Sequence, residues 1–206
     1  TDGTLSVIEN YHQYIAHFVS EKDEGLYDAI NKGIKLATGE VVGILNADDI
    51  LVSNEVIAKV ANAFINQPET QAIYGDLNYV RPTSAKIVRE WRSHQADKMD
   101  IEKGWMPAHP TFYVRKQVYK SYGGYALDMG TSADYDLMLR YFHTYRIKAI
   151  YLPFLMVNMR TGGLSNQGIS NIWKAMNFDY KALKRNKIPN ALLVLLKKKF
   201  SKLSQF

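Results

Sequence analysis

The chain has 206 residues, of which 47% are hydrophobic and 22% charged, a balance typical of one globular domain with a substantial core and not of a disordered chain. It contains no cysteine, which excludes disulfides and cysteine-based metal or nucleophilic sites, and no run reaches the roughly 18 apolar residues of a membrane span. The net charge of +6 is concentrated at one end, because residues 181–206 hold eight of the 26 basic side chains and none of the 20 acidic ones.

Apolar spacing and turn residues predict helices that alternate with short strands, the pattern of an α/β fold. Residues 41–45 are almost wholly apolar, which predicts a central strand of a parallel sheet. In chain order, the predicted helices cover 5–14, 26–37, 55–66, 133–143, 169–185 and 190–203. The predicted strands cover 15–19, 41–45, 72–74, 77–80, 86–91, 110–114, 148–152 and 155–159.

Two adjacent carboxylates, Asp48 and Asp49, follow the strand predicted over 41–45. Ligands of open α/β sheets bind beyond the carboxyl ends of the strands, and two neighbouring carboxylates are costly there unless a cation offsets their repulsion. Mg²⁺ usually takes one or two protein carboxylates, with waters and phosphate oxygens completing its shell. Three interpretations stay open at this point: a metal site, a cap for the helix near Asn54, or a simple end to the strand.

Three strings in the first 50 residues resemble glycosyltransferases of family 2, which have the GT-A fold. They are EGLYDAINKG at 24–33, ATGE at 37–40 and LNADD at 45–49, in the family's order. The resemblance extends from Thr1 to about Gly163. It implies a GT-A-like α/β fold with a mostly parallel central sheet, followed by C-terminal helices, that binds a nucleotide sugar.

The family's Asp-x-Asp metal motif falls on residues 46–48, with Asn46 in place of its first aspartate. The resemblance therefore implies that Asp48 binds a divalent cation, Mg²⁺ or Mn²⁺, with Asp49 assisting. The opening string TDGT resembles the end of a family segment that follows a strand, a helix and a second strand. Because those elements carry much of the nucleoside-binding surface, the chain is expected to be truncated at its N-terminus and to lack the base contacts.

Asp134 opens the helix predicted over 133–143. Its spacing from Thr131 suits a capping box, which predicts a purely structural role. In the family, an aspartate just before an apolar helix is the general base. The resemblance therefore implies that Asp134 accepts the proton of the acceptor hydroxyl in a single inverting displacement, although Ala133 replaces the glutamate that usually precedes it. Asp136 is expected to support the helix behind the site.

Two further positions resemble family segments around the substrates. His109 lies before the base helix and is expected to contact the acceptor, although a core histidine is the alternative interpretation. Arg160 lies in the string MRTGGLS at 159–165, which resembles a loop that closes over the donor. A phosphate contact by Arg160 and a simple surface loop both stay open.

Three polar residues fall in the strongest family-like string: Asp28, Asn31 and Lys32. Asp28 and Asn31 are three positions apart and therefore share one helix face. That face is expected to bind the nucleotide donor or, alternatively, to pack behind the turn that carries Asp48.

The C-terminal helix predicted over 190–203 is amphipathic and basic. Leu193, Leu196, Phe200 and Leu203 recur at helical spacing, while most lysines of 197–202 fall on other faces. Such a helix suits an anionic membrane surface, at about 1 kcal/mol per lysine near it. The alternative is that residues 191–196 pack onto the domain. No nucleic-acid partner is expected, since the basic residues are confined to one tail and no nucleic-acid motif accompanies them.

These residues and the resemblance together predict an inverting glycosyltransferase that uses a nucleotide-diphosphate sugar and a saccharide or lipid-linked saccharide acceptor. It is expected in bacterial surface polysaccharide or lipid-linked glycan synthesis, in the cytoplasm or at the inner face of the plasma membrane. Residues 1–165 are expected to form the catalytic domain and 166–206 a helical extension. The alternatives are a catalytically inactive binding module of the same fold and a glycoside hydrolase, which adjacent carboxylates disfavour because a hydrolase needs two opposed ones.

Overall fold

Helices and strands alternate around one six-stranded sheet in the computed structural model, which describes the backbone of residues 2–162 and 169–203 and the side chains of 2–162 and 173–198. Short 3₁₀ turns cover His12–Tyr14, His109–Thr111 and Leu127–Ser132, and a π-helical turn, Arg140–Thr144, extends the sixth helix. The helices are α1 (Thr4–Asn10), α2 (Leu26–Leu36), α3 (Val56–Asn66), α4 (Lys98–Glu102), α5 (Lys116–Tyr122), α6 (Ala133–Leu139), α7 (Ile169–Arg185) and α8 (Ala191–Leu203). The strands are β1 (Val41–Val42), β2 (Asp49–Leu51), β3 (Ala72–Val80), β4 (Ile87–Trp91), β5 (Tyr113–Arg115) and β6 (Ala149–Arg160).

The sheet is mixed, in the order β1-β5-β3-β6-β2, and β4 pairs with the far end of β3. Only β3 and β6 pair in parallel; the four other pairings between the described strands are antiparallel. The α/β class is confirmed, but the expectation of a mostly parallel sheet is wrong for this part of the chain. An apolar run reports that a strand is buried, and it carries no information on the direction of its neighbours.

The strand predicted over 41–45 is also shorter and more peripheral than expected. Only Val41 and Val42 are paired, at the edge of the described sheet, and Gly43 and Leu45 are exposed. An apolar groove of about 710 Å³ lies beside this edge, between β1 and α3. The edge therefore presents unpaired backbone groups next to apolar side chains, which is the chemistry that accepts a further strand.

Two long strands replace pairs of predicted short ones. Residues 72–74 and 77–80 merge into β3, and 148–152 and 155–159 merge into β6, while 15–19 forms no strand. Pro153 is tolerated inside β6 because the register shifts there, so that residues 152–154 stand opposite Gly75 alone. The hydroxyl of Thr111 accepts from the Gly75 N–H at 3.3 Å, and its single proton lies between the carbonyls of Ala108, at 2.8 Å, and Gly75, at 3.2 Å, so Thr111 takes the place of the missing ladder bonds.

The core forms two layers, one on each face of the sheet. On one face α3 packs through Val56, Val60 and Phe64 against the sheet. On the other face α5 to α8 pack over β3 and β5, and the C-terminal helices contribute side chains such as Leu183 and Val194 to the same cluster. No helix of the described chain is long and apolar enough to cross a bilayer.

Candidate active site

Asp134 is the one residue of α6 that is not fully buried; the six others are. Ser132 caps this helix without a side-chain hydrogen bond, so the capping box expected with Thr131 does not form. Oδ1 of Asp134 instead accepts the backbone N–H of Tyr135 at 2.7 Å. Of the two carboxylates in its first turn, the buried helix leaves only Asp134 partly exposed, at the end where the helix dipole favours negative charge. Asp136 is buried behind it and accepts a bond from Asn186, as expected.

Three aromatic side chains, Tyr27, Tyr125 and His109, lie near enough to Asp134 for its charge to affect their pKa. Burial raises the pKa of Tyr27, and the charge of Asp134 adds to that effect. The Tyr125 hydroxyl lies 2.6 Å from Nε2 of His109. Burial lowers the pKa of His109, and the charge of Asp134 opposes that effect. His109 is thus both a packed histidine and a neighbour of Asp134, and its contact with an acceptor stays a prediction.

Asp48 and Asp49 occupy different environments at the start of β2. Asp48 is exposed, whereas Asp49 is only 6% exposed. Asn46, at the first position of the Asp-x-Asp motif, donates from Nδ2 to Oδ2 of Asp49 at 2.8 Å, while Oδ1 of Asp49 has no hydrogen-bond partner. Burial raises the pKa of Asp49, and the charge of Asp48 adds to it. Neither aspartate caps α3, whose N-terminus has no side-chain cap.

Tyr79 on β3 connects the two acidic positions. Asp49 lies opposite Met159, Met159 lies opposite Tyr79, and Tyr79 lies opposite Arg89, so this row of side chains shares one face of the sheet. Burial raises the pKa of Tyr79, and the charges of Asp134 and Asp49 raise it further. The Arg89 guanidinium, 4.9 Å from the ring centroid, lowers the pKa and so opposes them. Asp49 thus shares a face of the sheet with Tyr79, and the pKa of Tyr79 also responds to the charge of Asp134.

The carboxylates of Asp48 and Asp49 fit a divalent cation that takes only one or two of its ligands from the protein. No group of three or more His, Cys, Asp or Glu side chains is arranged around a common point in the described residues. A pair of carboxylates is nevertheless what Mg²⁺ takes when phosphate oxygens and waters fill the other positions. A cation at this turn would partner Oδ1 of Asp49 and would offset the repulsion between the neighbouring carboxylates.

The residues predicted to bind the nucleotide organise the beginning of α2. Asp28 accepts the backbone N–H of Glu24, and Lys32 bridges Asp28 to acidic side chains of the preceding segment, Glu21 and Asp23. The Asn31 amide makes two hydrogen bonds with the backbone of Tyr125, of 2.8 and 2.9 Å. These contacts show that Asp28, Asn31 and Lys32 each stabilise the local fold, and their contact with a nucleotide stays a prediction.

Arg160 is exposed at the end of β6, opposite Val80. Its neighbour Thr161 donates its backbone N–H to the Val80 carbonyl at 2.9 Å, so the strand remains tied to the sheet at this point. Residues 163–165 of the predicted closing loop lie outside the described residues. The phosphate contact of Arg160 stays a prediction.

Comparison with known proteins identifies the family. Residues 1–123, more than half of the chain, match the model of glycosyl transferase family 2. The chain belongs to this family. A PGL/p-HBAD biosynthesis glycosyltransferase of Mycobacterium bovis is 30% identical over 176 residues, which cover 81% of this chain and 64% of the relative. An uncharacterized glycosyltransferase of Mycobacterium tuberculosis is 28% identical over 139 residues, covering 68% of this chain and 52% of that protein.

The family 2 chain also resembles solved structures of S. aureus TarS. Residues 1–349 of TarS in complex with UDP-GlcNAc superpose with a TM-score of 0.65 at 16% identity, over 89% of this chain and 54% of that one. The complex of the same TarS fragment with UDP gives a TM-score of 0.61 at 17% identity. These superpositions confirm the GT-A fold. The chain spans about 64% of the length of the Mycobacterium bovis relative.

Sequence reasoning missed the three tyrosines that join the acidic positions: Tyr27, Tyr79 and Tyr125. Tyr27 lies inside the family-like string at 24–33, which was the one signal available for it. Tyr79 and Tyr125 are two of 14 tyrosines, and nothing in their spacing separates them from core residues. Their role becomes visible only when the fold brings β3, α2 and the loop after α5 together.

Proposed function

We propose that this chain carries most of the catalytic domain of an inverting, metal-dependent glycosyltransferase that moves a sugar from a nucleotide-diphosphate sugar to a hydroxyl acceptor. The observation that supports it best is the row of Asp49, Met159 and Tyr79 on one face of the sheet, because the pKa of Tyr79 also responds to the charge of Asp134. It indicates one cleft with a cation-binding carboxylate at one side and a candidate base at the other. In this proposal residues 1–165 are catalytic and 166–206 form the helical extension.

Asp134 is the proposed general base. It accepts the proton of the acceptor hydroxyl while that oxygen forms a bond to the anomeric carbon and the bond from this carbon to the diphosphate breaks. One displacement inverts the anomeric centre, so no residue of the chain needs to bond covalently to the sugar. A divalent cation, Mg²⁺ or Mn²⁺, held by Asp48 and Asp49 would supply positive charge to the departing diphosphate. His109, neutral beside Asp134, is proposed to contact the acceptor.

The donor side is proposed to include Asp28, Asn31, Lys32 and Arg160, as the family resemblance implies. TarS has been solved with UDP and with UDP-GlcNAc, which makes uridine diphosphate sugars the first donors to test. Arg160 lies at the end of β6, one residue beyond the row that holds Asp49. A guanidinium at that position suits the recognition of a phosphate.

Transfer assays on the full-length protein test the proposal. UDP-sugars are incubated with saccharide acceptors in Mn²⁺, in Mg²⁺ and in EDTA, and the anomeric configuration of the product is read by NMR. Asp134→Asn should lower kcat by about 10²–10⁴-fold with donor affinity unchanged, while Asp128→Asn, the same substitution at an exposed site, should leave kcat unchanged. Full turnover by Asp134→Asn would reject the base, and full turnover in EDTA would reject the metal.

An inactive binding module of the same fold is the second outcome of these assays. Calorimetric binding of a UDP-sugar without any transfer or hydrolysis would favour it. Metal-independent cleavage of glycosides would instead favour a hydrolase, which the adjacent positions of Asp48 and Asp49 argue against.

A lipid-linked acceptor at an anionic membrane is the proposed context, as in surface polysaccharide or lipid-linked glycan synthesis at the inner face of the plasma membrane. Helix α8 supports it in part. Ala191, Val194 and Leu195 pack onto the domain, so the packing alternative holds for one face, while a second face exposes Leu192, Leu193 and Leu196. Phe200 and Leu203, which extend the predicted stripe, lie outside the described side chains.

Liposome co-sedimentation tests the membrane contact. Removing residues 190–206 would uncover the core, so a triple variant, Leu192→Ser, Leu193→Ser and Leu196→Ser, is the sharper comparison. The variant should bind vesicles that contain anionic phosphatidylglycerol more weakly than the wild type, and neither should bind neutral phosphatidylcholine. Equal binding of both proteins to anionic vesicles would reject this face of α8 as the contact.

A further inference from the structure

Helix α8 packs onto the domain through one stripe of side chains that continues into a lysine. Ala191, Val194 and Leu195 are buried, and Lys198 follows at helical spacing on the same face. The Lys198 ammonium lies 3.0 Å from Oδ2 of Asp179 on α7, and the two side chains are only 10% and 12% exposed. The basic tail therefore places one of its charges inside the protein, against an acidic partner.

Asp179 connects this ion pair to the start of α6. Its other carboxylate oxygen, Oδ1, accepts a hydrogen bond of 2.7 Å from the hydroxyl of Ser132, the N-cap residue of that helix. A serine at an N-cap usually accepts a backbone N–H of the first turn, and Ser132 makes no such bond. Its hydroxyl is committed to α7 instead, so Asp179 holds both Lys198 and the residue two positions before Asp134.

The segment around Asp134 contacts the C-terminal helices at two more points. The Lys198 ammonium lies 3.1 Å from the ring centroid of Tyr135, the residue that follows Asp134. Just before α6, Gly130 adopts φ 49° and ψ −129°, and a Cβ there would lie 2.5 Å from Cε2 of Phe178 on α7. Residues of α7 and α8 therefore contact the chain on both sides of Asp134.

A buried ion pair favours one arrangement of the helices that it joins, because a displacement would leave a charge unpaired in the interior. A general base needs such a fixed arrangement, since a misplacement of about 1 Å at a reacting group can cost on the order of 10²-fold in rate. The pair of Lys198 and Asp179 supplies it at the helix turn that carries Asp134.

We infer that Ser132, Asp179 and Lys198 are positioning residues for the proposed base. The ion pair and the serine bond fix the first turn of α6, and thereby the direction from which the Asp134 carboxylate meets the acceptor. This inference rests on the proposed function, because it takes Asp134 as the base. The three side chains act through Asp134 and do not touch the reacting atoms in this scheme.

Two substitutions test the positioning role. Ser132→Ala is the milder one, because it removes the hydroxyl without removing a helix cap and leaves the ion pair in place. Lys198→Met keeps a long side chain and removes its charge. For both variants, assayed well below their melting temperatures, we expect kcat to fall on the order of 10- to 100-fold and the donor KM to change by less than about twofold.

Two control variants separate positioning from stability. Val60→Ala removes packing between α3 and the other face of the sheet, so it should lower the melting temperature without lowering kcat. Asp128→Asn breaks exposed ion pairs between α7 and the segment before α6, so it should leave kcat unchanged. If Val60→Ala lowers kcat as much as Ser132→Ala does, the loss comes from stability and the inference fails.

Combination with Asp134→Asn shows whether these residues act through the base. Adding Ser132→Ala to Asp134→Asn should lower kcat little further, because no carboxylate is then left to position. Losses that multiply in the double variant, or a wild-type kcat in Ser132→Ala, would overturn the inference, whether or not Lys198→Met folds. If Asp134→Asn alone is strongly impaired in that case, the base assignment survives; if it turns over normally, the base assignment fails as well.

Discussion

The substitution Asp49→Asn should make the protein more stable at neutral pH. Asp49 is 6% exposed, its Oδ1 has no partner and Asp48 stands beside it, so the folded state bears the cost of a buried charge. An unpartnered buried polar atom costs about 1–3 kcal/mol. An asparagine can still accept the bond from Asn46, so we expect a gain of about 1–2 kcal/mol, or about 3–6 °C in melting temperature for a domain of this size.

The pH dependence of the gain follows from the raised pKa of Asp49. The pKa of Asp49 is higher in the folded state than its unfolded value of 3.8. Its contribution to stability is therefore fully present below pH 3.8, and it is lost as the pH rises through the folded pKa. The advantage of Asp49→Asn should therefore be complete at pH 7 and shrink towards pH 3.8. Melting curves across this range measure it, with exposed Asp48→Asn as the control, expected to change stability by less than about 0.5 kcal/mol.

Two results would contradict this reasoning about Asp49. A melting temperature at pH 7 equal to or below that of the wild type would show that the buried charge carries no cost. An advantage of the same size at pH 4 and pH 7 would show that its cause is not ionisation. Mn²⁺ provides a second measurement, since a cation that binds only the folded state raises the melting temperature; this rise should be larger for the wild type than for either asparagine variant.

Gly75→Ala should destabilise the protein by about 1–3 kcal/mol in chemical denaturation, because the new Cβ would lie 2.6 Å from Cε of Met156 inside the core. Gly33→Ala is its control: nothing lies within 4 Å of that helical position, so a gain of about 0.5–1 kcal/mol is expected, and equal effects of the two changes would contradict the packing argument. Asp128→Asn removes two exposed ion pairs, with Arg185 and Lys181, so less than about 1 kcal/mol should be lost. Because Arg185 holds the pKa of Asp128 well below 3.8, that contribution is present above pH 3.8 and lost below it; a loss above 2 kcal/mol in 1 M NaCl would exclude a surface pair.

Periodicity located the long helices of this protein well. Helix α2 was predicted over 26–37 and covers Leu26–Leu36, and α3 was predicted over 55–66 and covers Val56–Asn66. Both helices have one apolar face that packs and one polar face in water, which is the arrangement that a 3.6-residue period reports. The short helices α4 and α5 were missed, since five to seven residues are too few to show a period.

Strand direction and strand length were beyond the reach of the sequence. Pro153 suggested a break between two strands, whereas the structure accommodates it in a register shift opposite Gly75. The compensation comes from Thr111, which is 36 residues away from Gly75 in the chain. Such long-range replacement of ladder bonds leaves no local signal, and the same holds for the pairing of β1 with β5.

For the candidate site, the acidic residues could be named from the sequence, whereas the residues around them became known only from the fold. Asp48, Asp49 and Asp134 were named from the family resemblance, and in the structure the charges of Asp49 and Asp134 both raise the pKa of Tyr79. The difference between exposed Asp48 and buried Asp49 could not be foreseen, because adjacent residues of one type look alike in a sequence. It arises because Asp49 begins β2 and is paired with Met159.

The register of strand β6 determines which of its side chains lie beside Asp49 and Tyr79. Met159 stands opposite both Asp49 and Tyr79, and Arg160 follows immediately. A slip of one residue would turn Met159 to the other face and carry Arg160 into its place. The register shifts at residues 152–154 and at Met156 absorb extra residues upstream, so lengthening the chain before 152 should leave the row of Asp49, Met159 and Tyr79 intact, whereas one residue inserted after 157 should exchange its side chains.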